Sequence, residues 1–212
     1  STNAAWLTTG NSGTTAANNF IGTTDNNNLV FKRNNVRAGY LSIYNVALGV
    51  DALNPASTAD ANISIGYRSM MANTTGYYNI AIGLDALRSN TTGASNIGIG
   101  NSALSSNAIG NYNTAVGVMA FGNHSSGIAN TALGYQAGIT NTTGSANVFI
   151  GSFAGANETG SNKLYIDNSN TSTPLIYGDF STNTLTVYSN LNVNNAYTFP
   201  TTNGNENYVL TS

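Results

Sequence analysis

The chain has 212 residues, of which 7% are charged, and its formal net charge is −2 at pH 7. So little charge excludes an electrostatic footprint for nucleic acid or an anionic membrane, and the absence of cysteine excludes disulfides, thiolate metal sites and thiol catalysis. Hydrophobic residues make up 41% of the chain, too large a share for a disordered tract, yet no apolar run approaches the ~18 residues of a membrane span.

Residues 1–44 are predicted to form an N-terminal β-hairpin segment, or connector. The segments NFIGTT and NLVFKRNN surround the turn-forming run DNNN at residues 25–28, which is typical of a hairpin. Lys32, Arg33 and Arg37 are interpreted as one solvated face of this hairpin, and Trp6 as a connector contact or a packed plug.

Residues 45–161 carry a repeat with a strict 17-residue period (62 − 45 = 17, and so on along the chain). Every copy opens with asparagine in a phrase such as NVALG, NIAIG or NTALG. The opening residues are Asn45, Asn62, Asn79, Asn96, Asn113, Asn130 and Asn147. A fixed period without insertions predicts a stack of seven coils, in which the asparagines form a structural ladder from coil to coil.

The first residues of each repeat are predicted to form a short strand. With the opening asparagine as position 0, positions 1 and 3 are mostly aliphatic and position 2 is small, as in Ile80, Ala81 and Ile82. Alternation of period two places positions 1 and 3 on one face and position 2 on the other. We expect position 3 to be buried within the coil, and the small residues at position 2 to pack against a neighbouring chain.

Two apolar segments per coil favour a flattened, two-sided parallel β-roll over a three-sided β-helix. One is the strand, and the other is a small residue at position 7 followed by a mostly large one at position 8, as in Ala86 and Leu87. Glycine at position 4 ends the strand and allows a left-handed turn, and the NTTG runs are predicted to be polar turns.

Residues 162–212 are predicted to form a C-terminal β-rich segment. The phrase NKLYIDN begins at Asn162, two residues out of register with the repeat. TPLIYGDF and NTLTVYSN alternate around a turn at residues 181–183, and Asn203-Gly204 is a strong hairpin-turn signal. No helix of ordinary length is expected.

The coil NIAIGLDALRSNTTGAS resembles the repeats of trimeric fibre proteins, found in phage tail fibres, in bacterial surface adhesins and, more distantly, in the head β-roll of YadA-like adhesins. FIGTTDNNNLVFKRNNVRAGYL and NKLYIDNSNTSTPLIYGDF resemble segments that bracket such repeats, and YTFPTTNGNENYVLTS resembles the run before a C-terminal chaperone or tip domain. The resemblance implies a homotrimer that recognises a host or prey cell surface, located on a virion tail fibre or the bacterial exterior.

Tyrosines are the candidate ligand-binding residues. They occupy the turn before the next asparagine, or position 5, and such rings can stack on sugar faces while their hydroxyls form hydrogen bonds. They are Tyr77, Tyr78, Tyr112, Tyr67 and Tyr135. The competing interpretation is that they cover the apolar edge of the coil or a seam between chains.

Three other chemistries have weaker support. Asp51 and Asp85 share position 6 about 10 Å apart along the stack, a distance suited to a glycosidase pair, but Arg68 lies between them. The single histidine, His124, is assigned to a polar turn without partners for metal binding or base catalysis. Threonine pairs at positions 12 and 13 resemble an ice-binding ladder, which two coils interrupt.

These observations predict an all-β, homotrimeric solenoid flanked by β-hairpin segments, without enzymatic activity, cofactor, bound metal, nucleic-acid partner or membrane insertion. The predicted function is that of a structural and adhesive fibre segment that recognises glycans or another receptor on a host or prey cell. A polysaccharide-degrading enzyme of the tailspike type and an ice-binding solenoid are the alternatives.

Overall fold

The computed structural model describes residues 24–25 and 27–189, together with two short strands beyond them. Strands and turns account for these residues, and none of them is helical. Twelve strands form one sheet in chain order, and the last two pair with each other. The strands are β1 (Leu29–Arg33), β2 (Val36–Leu41), β3 (Val46–Leu48), β4 (Ile63–Ile65), β5 (Ile80–Ile82), β6 (Ile97–Ile99), β7 (Thr114–Val116), β8 (Thr131–Leu133), β9 (Val148–Ile150), β10 (Lys163–Ile166), β11 (Ile176–Asp179), β12 (Thr184–Val187), β13 (Asn192–Val193) and β14 (Tyr197–Thr198).

The seven strands β3 to β9 are parallel and stack in register with one repeat per turn, so that Ala47 lies opposite Ser64. Backbone hydrogen bonds also join successive coils outside the strands. The amide of Leu53 donates to the carbonyl oxygen of Ser69 (2.9 Å), and the amide of Gly66 donates to that of Leu48 (2.8 Å). Because each coil is tied to the next at several points around its path, the chain forms the predicted all-β solenoid.

The two faces of these strands are reversed relative to the prediction. Position 2 lies inside the solenoid, and Ala81 and Ala115 have no exposed surface. Position 3 lies outside, where Leu48, Ile82 and Leu133 keep 40%, 37% and 49% of their surface exposed. The predicted burial of position 3 is therefore wrong. The predicted contact between the small residues and a neighbouring chain is also wrong, because these residues pack within their own solenoid.

The core is a column of side chains from positions 2, 7 and 8. The large residues at position 8 are fully buried: Leu53, Met70, Leu87, Leu104 and Phe121. The coil that begins at Asn147 exchanges these sizes, because it has Phe149 at position 2 and Gly155 at position 8. A Cβ atom on Gly155 would lie 2.6 Å from the ring of Phe149, so the ring fills the space that a position 8 side chain takes elsewhere.

Three positions in each of the first five coils adopt the left-handed backbone conformation without being glycine. They are positions 6, 8 and 16, as at Asp85 (φ 56°), Leu87 (φ 49°) and Tyr78 (φ 57°). Each costs roughly 1–2 kcal/mol, which burial and the bonds between coils must offset. Position 4 requires glycine because successive coils approach closely there. A Cβ atom on Gly83 would lie 2.5 Å from the carbonyl oxygen of Gly100 in the next coil.

An antiparallel hairpin covers the N-terminal end of the solenoid. Strands β1 and β2 pair around Asn34-Asn35, which are both left-handed. The predicted turn at residues 25–28 joins this hairpin to NFIGTT, which lies largely outside the described residues. The guanidinium of Arg37 donates to the carbonyl oxygens of Ala52 (3.2 Å) and Leu53 (2.9 Å). Arg37 therefore caps the first coil instead of belonging to a solvated face.

The stack continues into the C-terminal segment. Strand β10 pairs in parallel with β9 and places Leu164 opposite Val148, a step one shorter than the repeat (164 − 148 = 16). Strands β11 and β12 follow as an antiparallel hairpin, and its turn at residues 180–183 agrees with the predicted one. The predicted roles of Trp6 and of the turn at Asn203-Gly204 lie outside the described residues.

Candidate functional site

The opening asparagines form a buried column along the solenoid. The backbone amide of Asn96 donates to Oδ1 of Asn79 (2.9 Å), and its side-chain Nδ2 donates to the carbonyl oxygen of Gly110 (2.8 Å). Its own Oδ1 accepts a hydrogen bond from the backbone amide of Asn113 (3.0 Å). Because these amides are buried and paired, they join coils and are not available to a ligand.

A second buried asparagine column lies at position 11, and the sequence-based predictions missed it. Asn73, Asn90 and Asn107 have no exposed surface. Nδ2 of Asn90 donates to Oδ1 of Asn73 (3.0 Å) and to the carbonyl oxygen of Gly93 (2.9 Å). The signal was present, since asparagine begins every NTTG run, but the same residue type also favours exposed turns.

His124 takes the place of asparagine in this second column and is fully buried, which its prediction as part of a polar turn did not anticipate. Its Nδ1 lies 2.8 Å from the carbonyl oxygen of Asn141, and its Nε2 lies 3.4 Å from Nδ2 of Asn130. Since an amide nitrogen only donates, Nε2 accepts and the proton resides on Nδ1. Oδ1 of Asn107 remains buried without a hydrogen-bond partner among the described residues.

The five predicted tyrosines are exposed, but the structure brings only two of them into contact. Tyr77 and Tyr78 pack edge to face with ring centroids 5.1 Å apart. Tyr112 lies two coils further along the same side of the repeat. Tyr67 and Tyr135 share position 5 four coils apart, and each packs on another side chain, an arginine and a phenylalanine respectively.

Tyr77 and Tyr78 line a cleft of about 510 Å³ together with Tyr44 and Asp60. The remaining lining residues are small or carry hydroxyls: Thr58, Ala59, Ala61 and Thr75. Tyr44 and Asp60 were not among the predicted site residues. Tyr44 could have been found, because it directly precedes an opening asparagine just as Tyr78 does, whereas Asp60 carries no such signal.

Two ion pairs join side chains of the described residues. Arg68 binds Asp85 (2.9 Å), so one of the two carboxylates of the glycosidase-like arrangement is already engaged, and Asp51 stands apart from that pair. Lys163 binds Asp179 (2.6 Å). The hydrogen bond from Lys163, assisted by a serine hydroxyl, lowers the pKa of the Asp179 carboxyl to about 2.

The threonines at position 12 use their hydroxyls within the stack. Oγ1 of Thr74 donates to the carbonyl oxygen of Thr91 (2.9 Å), and Oγ1 of Thr91 donates to that of Ala108 (2.9 Å). These hydroxyls therefore stabilise the contact between coils and are not free to bind ice. Only the exposed side chains at position 13 would remain to form an ice-binding row.

Within residues 24–25 and 27–189, no three histidine, aspartate or glutamate side chains cluster as a metal site would require. The same part of the chain holds no helix with the length and hydrophobicity of a membrane span. Comparison of the chain with protein-family models, curated proteins and solved structures gave no match.

Proposed function

We propose that the chain is a structural and adhesive segment of a homotrimeric fibre, on a phage tail or a bacterial surface, that recognises a host or prey cell, most readily through glycans. One observation carries the proposal. Positions 1 and 3 of β3 to β9 form an aliphatic stripe on the outside of the solenoid, in which Leu48, Ile65 and Ile82 are all more than one-third exposed.

The aliphatic stripe is well suited to contact with further copies of the chain. At about 4.8 Å per coil it is roughly 30 Å long, and contiguous apolar patches of this kind mark interaction sites on soluble proteins. None of its fourteen residues is charged, and all except Thr114 and Thr131 are aliphatic. An identical stripe matches it in length and hydrophobicity, and three copies around one axis would cover each stripe and give a stiff shaft.

The adhesive part of the proposal is supported by the tyrosines that lie in turns and not on the strands. Tyr77, Tyr78 and Tyr112 are 50%, 63% and 67% exposed. Their position before the opening asparagine leaves them accessible when the strands are covered by neighbouring chains. Exposed tyrosines beside asparagine, serine and threonine suit the apolar faces and hydroxyls of sugars.

Light scattering of the native protein tests the oligomeric state. We expect the mass of three chains, and a monomer at micromolar concentration would refute the trimer. Ile82→Asp places a charge on the stripe and should give monomers that keep a β-sheet circular dichroism spectrum. Ile109→Asp is the matched control, because Ile109 is 55% exposed but lies in a turn outside the stripe. The adhesive function would be refuted by a labelled protein that binds no bacterial surface.

A further inference from the structure

A row of tyrosines runs along one side of the solenoid at intervals of two coils. Tyr44, Tyr78 and Tyr112 each directly precede an opening asparagine and are two repeats apart (78 − 44 = 34 and 112 − 78 = 34). Their exposed fractions are 65%, 63% and 67%. The coils between them carry Ala61 and Ser95 at the same position. We call these three rings the tyrosine row, and the two small residues mark notches between its rings.

The notch at Ala61 is part of an open cleft on the surface. It belongs to the cleft of about 510 Å³, which Tyr44 and Tyr78 line from either side. At about 4.8 Å per coil, the tyrosines of the row stand about 9.5 Å apart along the axis. Because contacts between carbon atoms take up about 3.5–4.0 Å, such a gap leaves room for one sugar residue lengthwise between two tyrosines.

The backbone fixes the spacing of the row. The amide of Tyr78 donates to the carbonyl oxygen of Asp60 in the preceding coil (3.3 Å), and the amide of Tyr112 donates to that of Ala94 (3.1 Å). Both tyrosines adopt the left-handed conformation, with φ of 57° and 59°. A row held in this way is preorganised, and preorganisation lowers the ordering cost of binding.

The chemistry of the cleft selects a neutral, hydroxyl-rich ligand. Asp60 is the one charged residue among the lining side chains, and the two ion pairs within the described residues do not involve it. Its carboxylate can accept hydrogen bonds from sugar hydroxyls, while the tyrosine rings contact apolar sugar faces. An anionic glycan would instead bring a like charge next to Asp60 without a compensating cation.

We propose that the tyrosine row binds a linear, neutral polysaccharide that lies along the solenoid axis, with every second sugar seated in a notch. The inference rests on the adhesive function proposed above, and it adds the class of glycan, its direction and the residues that hold it. Because the row is periodic, the ligand must be periodic too, and affinity must grow as an oligosaccharide becomes long enough to reach the second notch at Ser95.

The test is calorimetric titration of the native protein with two length series of linear oligosaccharides, β-1,4-linked glucose and β-1,4-linked N-acetylglucosamine. We expect tighter binding once a chain spans both notches. Tyr78→Ala should weaken binding about tenfold or more, because Tyr78 borders both notches and its ring contact is lost at each. Ala61→Tyr should weaken binding by filling one notch, and its backbone is suitable because tyrosine already adopts this conformation at Tyr78.

Tyr188→Ala is the matched control, since Tyr188 is 51% exposed and lies outside the row, and it should leave affinity unchanged. The inference is overturned if neither series binds, if binding survives both Tyr78→Ala and Ala61→Tyr, or if polygalacturonate binds more tightly than the neutral chains. A lower mass of Tyr78→Ala in light scattering would overturn it as well, because the row would then be a contact between copies. If both row variants adhere to cells as strongly as the wild type does, the role of the tyrosine row is refuted. The proposed adhesive function would then still stand.

Discussion

The exchange of sizes between positions 2 and 8 predicts that Phe149 and Gly155 are energetically coupled. Phe149 is fully buried, and its ring centroid lies 5.6 Å from that of Phe121 and 5.7 Å from that of Tyr165. Phe149→Ala removes this ring, while the hydrogen bonds between coils hold the surrounding backbone at a fixed spacing. The cavity therefore cannot close by collapse, and the space next to Gly155 becomes empty.

The magnitudes follow from the contacts. Phe149→Ala should cost about 3–5 kcal/mol, a large part of the ~5–15 kcal/mol that stabilises a typical domain. Gly155→Leu alone places Cβ 2.6 Å from the ring, and overpacking costs about 1–3 kcal/mol. In the double variant the leucine occupies the emptied space, as Leu87 does beside Gly98. The double variant should therefore be about 2–3 kcal/mol more stable than the sum of the single effects.

Urea unfolding of the wild type, both single variants and the double variant measures this coupling. Placing leucine in a left-handed conformation costs roughly 1–2 kcal/mol. Both variants that contain Gly155→Leu have this cost, so it cancels from the coupling energy. Hydrogen exchange of residues 147–161 localises the effect, because long stacks need not unfold in one step. Val148→Ala on the outer face is the control and should not couple to Gly155→Leu. Effects of Phe149→Ala and Gly155→Leu that add within about 0.5 kcal/mol would refute the size exchange.

Three further predictions concern the polar contacts. His124→Asn should add about 1 kcal/mol or more of stability and raise the urea midpoint, because an amide at this site can donate to the unpaired Oδ1 of Asn107, and a lower midpoint would contradict it. Asn96→Ala should cost at least about 2 kcal/mol, since it leaves the buried amide of Asn113 without its acceptor and removes one of the two donors to the carbonyl oxygen of Gly110, and a neutral effect in thermal unfolding would count against a structural ladder. Because the folded pKa of Asp179 is lowered from 3.8 to about 2, its contribution is complete above pH 3.8 and is lost as the pH falls toward 2. Unfolding followed across that window should show a shallower acid dependence for Asp179→Asn, and an unchanged slope would argue against the pair with Lys163.

The sequence was sufficient to predict that the coils stack, but not to predict which side chains of each coil lie inside the solenoid. The fixed period from Asn45 onward predicted the parallel register, because a constant interval without insertions can be satisfied by stacking alone. The second asparagine column was missed because position 11 falls in runs that also favour turns. Asp60 was missed because its proximity to Tyr78 exists only once the coils are stacked, whereas Tyr44 was overlooked although it precedes an opening asparagine just as Tyr78 does. The hairpin turn at Asn34-Asn35 was missed, although it carries the same turn-forming chemistry as residues 25–28.

The reversed faces follow from the narrow interior of a short coil. Alternation along a strand shows that two faces differ, but it does not show which one is inside. A wide sandwich buries its large side chains, whereas this short coil has room for one large residue, at position 8, and must place small residues such as Ala81 opposite it. The large residues at positions 1 and 3 are consequently excluded from the core and form the exposed aliphatic stripe. The constraint that fills the interior with alanine is thus the same one that leaves an apolar surface exposed, and it is this stripe, not the alanine face, that the proposed trimer would cover.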